Sequence, residues 1–185
     1  MGINLSKGQR IDIGIAKAVV GLGWDPNQSG GGDFDLDASA FMLNESQKMP
    51  SDAFFVFYNN QTSKDGAVVS SGDDRTGGNS EGDDETLTVD LTKVDNQIQQ
   101  IVFLASIHDA ETRKQNFGQI RNSFIRIYDA NTSEEICKYE LSEDFSVETC
   151  VEFGRLYKRD NKWRFEALGT GYRGNLQEAI NKYSN

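Results

Sequence analysis

The chain has 185 residues, enough to bury a substantial core without disulfides, and carries 19 Lys+Arg against 29 Asp+Glu for a formal charge of -10. That balance excludes a nucleic-acid-binding surface and an anionic-membrane surface, each of which needs a basic stripe. The N-terminus has no secretory h-region and no stretch approaches a membrane span, so no direct membrane insertion is expected. The two cysteines, Cys137 and Cys150, sit in apolar-alternating segments and are expected as free thiols in a reducing cytoplasm.

Taken in order, the chain reads as β almost throughout. Ile11, Ile13 and Ile15 alternate with period two, and Ala18–Val20 leads to a glycine turn at Gly21–Gly23. A strand is predicted over Asp35–Leu43. Ala53–Tyr58 is a continuous aromatic and branched run, expected as a strand buried on both faces. Further strands are predicted at Val68–Ser70, Thr86–Leu91, Ile98–His108, Ser123–Asp129, Glu135–Leu141 and Thr149–Tyr157. Residues 159–162 then form a hairpin turn into Trp163–Leu168. Thr112–Ile120 is a candidate helix. A second is predicted over Leu176–Tyr183, with Asn175 as N-cap and Glu178 three residues on. Many short strands with Gly/Asn/Asp/Ser turns predict an all-β fold, a β-sandwich with short peripheral helices, in one domain over residues 1–185.

Two acidic clusters stand out. In Asp33-Phe-Asp35-Leu-Asp37 the period of a strand puts the three carboxylates on one face, with Phe34 and Leu36 turned into the core. The run from Gly72 to Glu85 holds six carboxylates, Asp73, Asp74, Glu81, Asp83, Asp84 and Glu85, against the single cation Arg75. Like charges this dense repel, so a cation must neutralise them or the segment stays solvated. Calcium takes 6–8 oxygens from carboxylates and carbonyls, and Gly77, Gly78 and Gly82 would free carbonyls to serve. Asp25 adds a third acidic point. The pattern is not an EF-hand, because Ala38 stands where glycine is needed and Asn44 where the closing acid is needed. One histidine, His108, gives no zinc motif. With Cys137 and Cys150 it makes no recognisable catalytic constellation.

The motifs Val20-Gly-Leu-Gly-Trp24-Asp25-Pro26, Phe34-Asp-Leu-Asp-Ala-Ser-Ala-Phe41, Phe57-Tyr-Asn-Asn60 and Gly82-Asp-Asp-Glu85 resemble the TerD family of tellurium-resistance proteins. Phe117-Gly-Gln119, Lys138-Tyr-Glu-Leu-Ser142 and Trp163-Arg-Phe165 extend the likeness to the C-terminus. The resemblance implies a bacterial cytoplasmic protein with a calcium-binding β-sandwich, and the count of acidic and carbonyl ligands in the two clusters leads us to expect two calcium ions. It would work in stress response beside other tellurite-resistance proteins, including a membrane-embedded one. The ligand positions that carry over are Asp35, Asp37, Asp73, Asp83, Asp84 and Glu85, with Asp25, Asn27, Asp74, Gly78 and Glu81. No enzymatic activity is implied. Three functions are thus set against one another: a calcium-organised protein-interaction module, a metal-dependent enzyme acting on a small anion or nucleotide, and a structural protein merely stabilised by calcium.

Overall fold

The computed structural model describes residues 2–73, 75–77, 82–141 and 145–185. Twelve strands among them form two six-stranded sheets. The first runs, in spatial order, β1 (Ile3–Asn4), β10 (Glu135–Glu140), β9 (Phe124–Asp129), β3 (Lys17–Gly23), β7 (Glu85–Asp90) and β6 (Val68–Ser70). The second runs β2 (Arg10–Asp12), β12 (Lys162–Tyr172), β11 (Cys150–Arg159), β8 (Gln100–Ile107), β4 (Leu36–Leu43) and β5 (Phe55–Val56). Every pairing is antiparallel except β1 with β10.

The main core lies between the sheets, and strand alternation decides what reaches it. Leu36, Ala38, Ala40 and Met42 of β4 and Ile101, Phe103, Ala105 and Ile107 of β8 point inward. The other face of these strands is also buried. There Phe41, Leu43, Val102, Leu104 and Cys150 pack against Ala179 and Tyr183 of a C-terminal helix, α2 (Leu176–Tyr183). That double burial explains why β4 and β8 read as near-continuous apolar runs. The Asn175 side chain accepts from the Glu178 amide at 3.1 Å, the cap expected from the sequence.

Three expectations are corrected. The glycine turn after Val20 is strand, because β3 continues through Gly21 and Gly23. A Cβ at Gly21 would overlap the Asp83 carboxylate, so this glycine serves a close approach and not a bend. Ala53–Tyr58 is not one buried strand. A 3-10 turn at Asp52–Phe54 gives way to the two-residue β5, and a tight Phe57–Asn60 turn follows. The Asn60 side chain donates to the Phe55 carbonyl at 2.6 Å and closes that turn. The helix expected at Thr112–Ile120 is shorter and earlier, α1 (Ala110–Arg113), ended by Lys114 at φ 54°. A separate 3-10 turn covers Phe117–Gln119.

Candidate metal centre

At the entrance to β4 the alternation that buries Phe34 and Leu36 turns Asp35 and Asp37 the other way. The ladder with β8 sets Asp37 opposite Ser106 and continues one bond further, with the His108 amide donating to the Asp35 carbonyl at 2.8 Å. The third carboxylate comes from the other sheet. β6 is bridged to the segment after β5 through Thr62 and Val69, and three residues beyond β6 Asp73 arrives at the same point. Carboxylate oxygens of Asp35, Asp37 and Asp73 lie within 4.8 Å of one another. They line a cavity of about 200 Å³ with Tyr58, Arg75, His108 and Arg113.

Asp35 and Asp37 are 7% and 6% exposed. Among the described residues neither carboxylate receives a hydrogen bond. Their nearest basic groups stand beyond hydrogen-bond distance: Arg113 Nη2 is 3.7 Å from Asp35 and His108 Nδ1 is 4.0 Å from Asp37. Only the exposed Asp73 has a close partner, Arg75 Nε at 3.0 Å. Burial raises the Asp35 carboxyl above its ordinary range, and the Asp73 charge adds to this. Burial, then the charges of Asp35 and Asp73, push Asp37 up to about 7. Two buried carboxylates without donors are costly unless a cation takes them, and hard oxygen donors suit a hard divalent ion. The donor set therefore fits the calcium that the resemblance implies.

The other expected ligands are placed elsewhere. Asp83 forms a two-pronged pair with Arg126, at 2.7 and 3.1 Å, over Gly21 on β3. Asp84 accepts from the Trp24 amide at 2.9 Å, and its own amide donates to Leu22. Glu85 takes the inward position that Leu87 and Val89 repeat along β7, and reaches across the sandwich to the Ala38 amide at 2.7 Å. These three acids staple the returning end of the loop to both sheets, and Glu85 lands one residue from Asp37. Asp25 accepts from Asn122 at 2.7 Å. Asn27 closes its own turn by bonding Ser29 and Gly32. Both line a separate cavity with Arg121. Asp33 is exposed, and its backbone carbonyl, not its carboxylate, is held by Gln115 and Arg113. Asp74, Gly78 and Glu81 lie outside the described residues.

The basic rim was not foreseen. Arg113 depends on where α1 ends, and His108 reaches the site only through β4–β8 pairing. Trp24 is buried. Its Nε1 donates to the Phe34 carbonyl at 3.0 Å, and a Cβ at Gly77 would overlap its indole. Cys137 and Cys150 are free and buried, in different sheets, and burial pushes each thiol up to about 12.

Comparison with known proteins agrees with the motifs. The TerD domain matches residues 1–183. General stress protein 16U of Bacillus subtilis (strain 168) is 48% identical over 189 residues, spanning 99% of this chain and 97% of that protein. Tellurium resistance protein TerD of Serratia marcescens is 44% identical over 188 residues, spanning 99% and 97%. A crystal structure of a homologue of telluride resistance protein (TerD) from Streptomyces coelicolor A3(2) superposes with a TM-score of 0.73 at 18% identity. It covers 90% of this chain and 96% of that one, a likeness of fold. Among the described residues no helix is long and apolar enough to cross a membrane. With sequence identity, motif positions and sandwich architecture in agreement, the chain belongs to the TerD domain family of tellurium-resistance and stress-response proteins.

Proposed function

We propose that this chain is a calcium-binding interaction module of the bacterial tellurite-resistance and stress-response system, acting in the cytoplasm without catalysis of its own. The observation that carries this reading is the meeting of Asp35 and Asp37, buried and without hydrogen-bond donors among the described residues, with Asp73 from the opposite sheet. Such a trio links the entrance of β4 to the 72–85 loop, so a bound cation fixes the loop against the sheet and creates a surface for another tellurite-resistance protein. Asp35, Asp37 and Asp73 are the primary ligands. Among the described acids of the loop, Asp83, Asp84 and Glu85 anchor its end, and a second ion would be taken by Asp74, Gly78 and Glu81, which lie outside the described residues. Asp25 and Asn27 belong to a different surface.

A cavity of about 200 Å³ is small for an organic substrate, whose sites run from ~300 to 1,000 Å³, which favours recognition over turnover. His108 and Tyr58 on the rim are the features that favour the second reading, a metal-dependent enzyme of a small anion. Affinity capture of partners from a bacterial lysate, in calcium and in chelator, tests the proposal when paired with hydrogen exchange. Partner recovery should follow the same calcium titration as amide protection at residues 75–77 and 82–85. A partner held equally well in chelator would leave the ion merely structural, and calcium-dependent turnover of a small substrate would favour the enzyme.

A further inference from the structure

The three carboxylates of the candidate centre do not face solvent alone. Each lies opposite a basic group lining the same cavity: Arg75 Nε at 3.0 Å from Asp73, Arg113 Nη2 at 3.7 Å from Asp35, and His108 Nδ1 at 4.0 Å from Asp37. Among the described lining residues, three carboxylates face two guanidinium groups, which with every carboxyl ionised leaves one negative charge before the histidine is counted. A divalent cation on the carboxylates turns that to one positive charge and takes from the two arginines the carboxylates they now face.

We infer that the calcium-loaded centre binds a small oxyanion of the phosphate type, seated between Arg75, Arg113 and His108 above the cation. This rests on the calcium reading proposed above. Guanidinium groups present forked donors that suit tetrahedral oxyanions, and the cavity of about 200 Å³ has room for a small anion beside the cation. Without the cation the same cavity is net negative and rejects the anion. The site is therefore ordered, cation first and anion second, and linkage requires the anion to tighten calcium by the factor that calcium tightens the anion.

The test is calorimetric titration of the full chain with calcium in chloride buffer, then in inorganic phosphate kept below the solubility limit of calcium phosphate. Phosphate should raise apparent calcium affinity roughly tenfold, within the usual range of site-to-site coupling. O-phosphoserine in place of inorganic phosphate separates a free ion from a phosphomonoester: a matching gain admits the ester, and a gain with inorganic phosphate alone confines the site to the free ion. Arg75→Gln and Arg113→Gln should abolish the phosphate effect while calcium alone binds as well or better, since a competing cation is gone. Arg75 is exposed, so Arg75→Gln carries the test if Arg113→Gln fails to fold. Calcium binding that phosphate leaves unchanged, or a phosphate effect that survives both substitutions, overturns the oxyanion site alone. Absence of calcium binding in either buffer overturns the metal reading and this inference together.

Discussion

At the scale of single residues, the decisive fact is that Asp35 and Asp37 are buried and, among the described residues, accept no hydrogen bond on their carboxylates. Removing a coordinating carboxylate deletes a ligand and a neutralising charge, whereas a remote acid contributes only screened attraction. Asp35→Ala or Asp73→Ala should thus weaken calcium binding at least tenfold by calorimetry, and Asp160→Ala in the β11–β12 turn should change it by less than about twofold. If all three behave alike, the acids act as a diffuse field and the site assignment fails. The same burial predicts an inverted pH dependence in chelator. Asp37 is held up to about 7 by burial first and neighbouring carboxylates second, against an ordinary value of 3.8. The folded state then binds more protons than the unfolded one between those values, so this group's contribution to stability falls as pH rises from about 4 to 7. The slope is at most ~1.4 kcal/mol per pH unit. Urea melts in chelator at pH 5 and pH 7.5 should show the wild type losing more stability over that interval than Asp37→Asn. Equal losses would mean that Asp37 is solvated and ordinarily ionised.

At the scale of elements, the two ends of the loop between β6 and β7 differ: Asp73 at the outgoing end belongs to the proposed centre. The returning end is fixed without metal, by Asp83 on Arg126, Asp84 on the Trp24 amide and Glu85 on the Ala38 amide. The Asp83 side chain is 4% exposed, so breaking its pair strands a buried charge. Arg126→Gln should cost ~3 kcal/mol in urea unfolding, and adding Asp83→Asn should recover much of it. A loss that the double substitution does not reduce would assign Arg126 a packing role over Tyr128 instead. This is also where sequence and structure part. Alternation placed Phe34 and Leu36 in the core and so aimed Asp35 and Asp37 correctly, and α2 with its Asn175 cap was legible from local chemistry. What Asp83, Asp84 and Glu85 bond was not legible, because adjacent acids look alike until sheet pairing sends one to each face. Gly21 and Gly23 read as a turn for the same reason: the Asp83 carboxylate and Phe124 ring that fill the space above them come from distant parts of the chain. The 3-10 turn and two-residue β5 within Ala53–Tyr58 follow from an edge position, which apolar composition does not reveal.

At the scale of the whole molecule, two sheets supply a stable frame and leave one corner electrostatically incomplete. The centre sits where β4 begins and the β6–β7 loop, which joins two neighbouring strands of the first sheet, reaches the second. Phe41, Phe55 and Phe57 form an aromatic stack from β4 through β5, with successive centroids 4.5 Å apart. A cation there neutralises like charges from both sheets, and because it binds only the folded arrangement it stabilises the whole chain by mass action. Asp37→Asn removes one of the two buried carboxylates with little change of shape. Thermal melting of wild type and Asp37→Asn, each in excess chelator and in calcium at about a hundred times the dissociation constant, tests the metal centre most directly. The wild type should gain about 5–10 °C from calcium. Asp37→Asn should melt above the wild type in chelator, because one of the two buried carboxylates is gone, and should gain little from calcium. An equal calcium-induced rise in both proteins, or none in either, would contradict a metal centre at Asp35, Asp37 and Asp73.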